Sequence, residues 1–124
     1  LDSIKLARLI NNKRNKPLKT FIEVSINEEQ NKNGVKINDL DDFVNEVLKY
    51  KNIELVGLMM MAIKSSNDDS LRKQFARLRL IRDRLEDKFN VKLPYLSMGM
   101  SDDYKEAILE GATHIRLGRI LFKE

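Results

Sequence analysis

From one end of this chain to the other, short apolar runs of strand length alternate with stretches whose apolar residues recur at helical spacing. Few architectures tolerate that rhythm. Residues 20–26 (TFIEVSI) are rich in β-branched and aromatic residues, and residues 53–61 (IELVGLMMM) form a mostly apolar run of strand length, as expected of a strand covered on both faces. Between them, Leu40, Phe43, Val44, Val47 and Leu48 recur at i, i+3, i+4, i+7 and i+8, which places them on one helical face. Residues 65–70 (SSNDDS) offer several N-caps, and Leu71, Phe75, Leu78, Ile81 and Leu85 predict a long amphipathic helix reaching Lys88. A short helix over residues 4–10 precedes all this, and the polar run NNKRNKP with Pro17 breaks it. The last third repeats the pattern: 92–96 extended, 101–110 helical with Gly111 as its stop, and 113–117 extended. Helix and strand alternating in this way imply right-handed crossovers and a parallel sheet, either open and doubly wound or closed into a barrel.

Composition removes several classes of function. There is no cysteine, so disulfides, thiolate catalysis and Cys-type metal sites are excluded. The longest apolar run, Leu55 to Ile63, is far below membrane-spanning length, so no membrane association is expected and the cytoplasm is the expected compartment. Lysines and arginines are spread along the chain among 19 acidic residues, and the net charge is +4, a pattern read here as a solvated surface without nucleic-acid binding. At 124 residues the chain has length for one core.

Two stretches carry chemistry. Residues 97–103 (SMGMSDD) read as the turn between a strand and a helix, the place where parallel α/β folds bind anions. There Gly99 lets backbone approach a ligand, and the hydroxyls of Ser97 and Ser101 can donate to phosphate oxygens. The alternative is purely structural, with Ser101 capping the helix and Asp102 and Asp103 complementing its dipole. In residues 112–119 (ATHIRLGR), side chains alternate faces, so Ile115 and Leu117 share one side while His114 and Arg116 share the other. An inward arginine on the final strand needs an anion, either a ligand or a structural carboxylate. His114, the sole histidine, suits a barrel-lining position better than a metal site, and Met59, Met60 and Met61 suit core filler. Lys32, after the first strand, faces either a ligand or solvent.

Four ordered segments, 24–34 (VSINEEQNKNG), 57–59 (GLM), 96–113 (LSMGMSDDYKEAILEGAT) and 116–118 (RLG), resemble the pyridoxal-phosphate homeostasis protein family, which is related in fold to the barrel domain of alanine racemase. The resemblance implies an α/β fold that is the C-terminal part of a (β/α)8 TIM-type barrel, with pyridoxal 5'-phosphate as its small-molecule cofactor. It implies that Ser97, Gly99 and Ser101 bind the phosphate together with the backbone around Arg116, Leu117 and Gly118. Arg116 would supply charge, Lys32 would lie near the site and Met59 would line the barrel. Ser25 departs from the family's asparagine, Asn31 from a serine, Met60 and Met61 from a small residue and isoleucine, and Arg119 from a small hydroxyl residue. The Schiff-base lysine that the family places on its first barrel strand has no equivalent here.

A complete barrel needs about 250 residues, roughly 200 at its most compact. Residues 1–124 are therefore expected to be one partial domain, the phosphate-holding end of a longer protein, whose open sheet edges would invite pairing with a second copy. Function on this reading is cofactor binding and delivery without turnover. Two rivals stand beside it: a racemase or decarboxylase using the same phosphate grip, and a non-catalytic module whose basic surface recruits an acidic partner.

Overall fold

The computed structural model describes residues 1–26, 34–63 and 67–117. Helices α1 (Ile4–Lys13), α2 (Ile37–Val47), α3 (Asp68–Phe89) and α4 (Tyr104–Leu109) alternate with strands β1 (Leu18–Ser25), β2 (Val35–Lys36), β3 (Ile53–Met59), β4 (Tyr95–Met100) and β5 (His114–Arg116). One sheet results, in the order β2-β1-β3-β4-β5, with every pairing parallel. Apart from the two-residue β2, the strands lie side by side in chain order, as in a barrel wall. A doubly wound sheet would reverse order at a switch point.

Burial shows which side the helices cover. Ile22 and Val24 of β1, Leu58 of β3, and Leu96 and Met98 of β4 are at most 1% exposed. They share one core with Ala7 of α1, Leu40 and Val44 of α2, Phe75, Leu78 and Leu85 of α3, and Ala107 of α4. Residues of the opposite parity, Phe21, Glu23, Met59 and Ser97, are only half-buried. The helices thus sheathe one face, and the other is the inner face of a barrel wall.

Three elements depart from the sequence expectation, each for a tertiary reason. Helix α1 continues through the polar NNK because buried Asn52 reaches up to it: its Nδ2 donates to Asn11 O at 2.9 Å and Arg14 O at 2.6 Å, and its backbone N–H donates to Asn11 Oδ1 at 3.0 Å. Those carbonyls would otherwise end the helix unpaired. Strand β4 begins at Tyr95 because the backbone of Leu93 is taken by α3 side chains, Glu86 Oε2 accepting from its N–H at 2.8 Å and Arg82 Nη1 donating to its carbonyl at 3.0 Å. Residues 97–100, read as a turn, are strand, since β3 and β5 supply ladder partners on both sides.

On the outer surface Asp41 of α2 bridges to α3, with Oδ1 2.9 Å from Arg84 Nη2 and Oδ2 2.6 Å from Lys88 Nζ. Hydrogen bonds from Arg84 and then Lys88 hold this carboxyl down at about 2 against an ordinary 3.8. A depressed acid stabilises the fold above its unfolded value and loses that contribution as pH falls through its folded one. With both partners about half exposed, screening reduces the gain to about 1 kcal/mol. Asp41→Asn is therefore expected to lower the urea-unfolding free energy by about 1 kcal/mol at neutral pH, and the gap from wild type should close as pH falls from 3.8 to about 2.

Candidate functional site

The register of the strands assembles the inner face. Glu23 pairs with Met59, Met59 with Ser97, and Ser97 with His114, so these four form one rung across β1, β3, β4 and β5. One step toward the amino ends, Phe21 pairs with Gly57 and Gly57 with Tyr95. A Cβ on Gly57 would collide with the Tyr95 carbonyl oxygen. The rings of Phe21 and Tyr95 stack across this bare position with centroids 6.3 Å apart, and His114 meets both edge-on at 5.4 and 5.2 Å. This aromatic floor lies beneath the polar rung.

Above the rung is Arg116, on the same side of β5 as His114. It is half-buried, and its Nη2 reaches across β4 to donate to the Met60 carbonyl at 2.8 Å. Burial depresses this guanidinium from its ordinary value, while the fields of Glu23 and Asp103 act the other way. It remains a cation throughout. Its Nε is buried and has no hydrogen-bond partner among the described residues. The inward arginine thus finds a carbonyl for one nitrogen and leaves a second donor unmatched.

The carbonyl that holds Arg116 is itself fixed. Met60 N–H donates to Ser97 O at 3.0 Å. Further along the same loop, Ile63 N–H donates to Gln74 Oε1 at 3.0 Å, and Gln74 Nε2 lies 3.3 Å from both Ser70 O and Ser70 Oγ. Gln74 is a buried polar residue of α3 that was not singled out from the sequence.

At the carboxyl end of β4 the chain bends sharply. Gly99 has φ +102, and a Cβ there would stand 2.7 Å from Ala107 Cβ and 3.2 Å from Tyr104 Cα. The glycine is needed for the close packing of α4 on the strand as well as for its dihedral. The following turn closes on Asp103, whose Oδ1 accepts from Met100 N–H at 2.7 Å and whose N–H donates to Met100 O at 3.1 Å. Helix α4 starts only at Tyr104, with Asp103 at its N-cap in place of the expected Ser101. Half-buried Ser101 lies in the turn itself.

Ser97, Met59 and Arg116 are therefore gathered on the inner face, Gly99 and Ser101 follow at the same end of β4, and half-buried Leu117 continues from β5. Lys32, Gly118 and Arg119 lie outside the described residues. Glu23, Phe21 and Tyr95 belong to the same face and were not singled out from the sequence. Their signal is the period-two alternation that identified His114 and Arg116. Among the described residues no group of three His, Asp or Glu is arranged to hold a metal, and no helix is long and apolar enough to cross a membrane.

A wall of consecutive parallel strands, sheathed by helices on one side and carrying its polar groups toward the carboxyl ends on the other, defines part of a (β/α)8 barrel. The chain belongs to the family of the alanine racemase N-terminal domain, which it matches over residues 1–124. It is 41% identical over 104 residues to the pyridoxal phosphate homeostasis protein of Aquifex aeolicus, covering 84% of this chain and 46% of that protein. With the protein of the same name from Pseudomonas aeruginosa it shares 36% identity over 125 residues, 98% of this chain and 53% of that one. The structure of PipY from Synechococcus elongatus with PLP bound superposes with TM-score 0.84 at 28% identity, covering 94% of this chain and 55% of PipY. The chain spans about half the length of these curated relatives.

One consequence concerns Gly99. Gly99→Ala combines a left-handed backbone cost of about 1–2 kcal/mol with an overpacking cost of similar size. The variant is expected to lose about 3 kcal/mol of unfolding free energy, and Ala107→Gly, which removes the contacting methyl, should cost less in the Gly99→Ala background than in wild type. Equal unfolding midpoints for wild type and Gly99→Ala would contradict this account of the turn.

Proposed function

We propose that this chain supplies the phosphate-holding part of a pyridoxal 5'-phosphate site in a protein of the cofactor-homeostasis type, one that binds and passes on the cofactor without turning over a substrate. The observation that carries the proposal is the half-buried Arg116 guanidinium on the inner face, with a buried Nε that no described residue satisfies. A buried unmatched donor is costly, and an anion at the barrel mouth is the group that would satisfy it. The names of the curated relatives and the PLP bound to PipY support the choice of anion.

The residues present suit such a group. Ser97 and Ser101 offer hydroxyl donors, Gly99 a backbone without a side chain, and Arg116, Leu117 and Gly118 the opposing strand end. Met59 would pack against the cofactor, and Lys32 would bring a second cation. Met100 N–H is already committed to Asp103, so phosphate contacts fall to the hydroxyls and the remaining amides. Glu23 and Asp103 exert their fields on Arg116, which leaves the described part of the mouth with more negative than positive charge. In this proposal Lys32 redresses that balance. Pyridoxal phosphate itself supplies an electrophilic aldehyde, whose partner lysine belongs to a strand preceding this chain in the longer protein we infer.

The test uses 4'-deoxypyridoxine 5'-phosphate, which keeps the ring and phosphate but has no aldehyde to condense with surface lysines. Saturable fluorescence or absorbance titration is expected, with Arg116→Ala and Ser97→Ala each weakening it about tenfold, the size expected for a charge-assisted hydrogen bond. Unsaturable binding, or affinity unchanged in both variants, would remove the proposal. Racemase or decarboxylase activity in the chain extended by its upstream strands would replace it with the enzymatic reading.

A further inference from the structure

The basic residues look dispersed in the sequence, yet the fold concentrates them. Two stretches without an acidic residue, 11–19 (NNKRNKPLK) and 48–53 (LKYKNI), contain six cations between them. They adjoin in space because Asn52 is hydrogen-bonded to Asn11 and Arg14 through three contacts of 2.6 to 3.0 Å, and Leu18 N–H donates to Asn52 O at 2.9 Å. This surface carries +6 against +4 for the whole chain, so the rest of the molecule is net −2.

All six side chains are exposed. Among the described residues Lys49 alone of the six has an ion-pair partner, Glu46 at 3.5 Å. Glu54 faces Lys19 across the ladder and offsets part of its charge. The two stretches lead into β1 and β3, so the surface lies at the amino ends of the strands, opposite the mouth that holds Arg116.

We propose that the surface of Lys13, Arg14, Lys16, Lys19, Lys49 and Lys51 docks a carboxylate-rich segment of another protein, leaving the opposite mouth free. Charge complementarity gives the sign of the partner. Its class follows from the neighbours. Leu9, 50% exposed, lies one turn before Lys13 on α1, and Leu48, 40% exposed, precedes Lys49. Apolar side chains beside cations suit a protein segment, whereas a phosphate backbone makes no use of them. The one aromatic residue in these stretches, Tyr50, is half-buried against the core, with its hydroxyl held by Arg8 at 3.2 Å and Glu46 at 3.1 Å, so its ring is not presented as an open platform for bases. Two leucines, each about half covered, do not make the continuous apolar face by which an amphipathic surface enters a bilayer.

The test titrates the 124-residue chain with poly-L-glutamate, a short RNA duplex and phosphatidylserine-containing vesicles. Poly-L-glutamate is expected to bind most tightly, with affinity falling steeply as salt rises. Lys13→Glu/Lys16→Glu/Lys51→Glu should weaken it about tenfold or more, and the triple Gln variant by about half as much on a logarithmic scale, as charge rather than shape dictates. The matched reversal Lys36→Glu/Lys73→Glu/Arg77→Glu, elsewhere on the surface, should leave binding within about twofold of wild type. Equal losses in both reversed triples would show that only total charge matters and overturn the proposal. Tighter binding of duplex or vesicle would transfer the surface to nucleic acid or lipid.

Discussion

Everything in this molecule follows from parity along parallel strands. Once Ile22, Leu58 and Leu96 turn toward the helices, Phe21, Glu23, Met59 and Ser97 have no alternative but the opposite face. A one-residue slip would carry a carboxylate and a serine into a core whose members are almost wholly excluded from water, and the cost of burying them unpaired fixes the register. The polar rung is thus a by-product of the apolar one. It is also the reason the chemistry faces the barrel interior, and why a cation at residue 116 comes within the field of Glu23, 93 positions earlier in the chain.

How much of this was legible depended on whether a signal was local. The α2 stripe at Leu40, Phe43, Val44 and Val47 can be read directly, because helical spacing is a property of the segment itself, and all four residues are buried. The start of β4 cannot be read in that way. Lys92 to Leu96 has strand-like residues, but Leu93 is claimed by Glu86 and Arg82 of α3, and nothing within residues 92–96 announces that competition. Residues 97–100 fail as a turn for the same reason in reverse. Small residues and a glycine look like a bend until two neighbouring strands offer a ladder, and the bend is then postponed to the turn closed by Asp103.

The site divides along the same line. Arg116 is visible from alternation within its own strand, and its inward direction follows from His-Ile-Arg-Leu alone. What surrounds it is not visible there, since the Met60 carbonyl it bonds and the Glu23 and Asp103 carboxylates whose fields reach it come from three other segments. Gly99 shows how one residue can be legible for an incomplete reason. A glycine at a ligand loop suggests close approach by a ligand, yet the structure finds Ala107 and Tyr104 of α4 already occupying the space a side chain would need. Packing and binding impose the same requirement at that position, so its presence alone does not discriminate between them.

Charge is the property that sequence averaging hides most completely. A net +4 spread over both signs reads as a solvated surface with no basic stripe for nucleic acid. Folding overrides the average because Asn52, one of the few buried polar residues, must find partners for its amide, and it finds them on the helix end that carries Lys13 and Arg14. The hydrogen bonds that finish α1 therefore also draw two basic segments together. Satisfying a buried amide fixes the placement of the cations whatever those cations do, and like charges held this close repel one another. A fold that could have scattered these cations instead keeps six of them together at the end of the strands remote from Arg116, so the proposed ligand and partner contacts are separable by mutation.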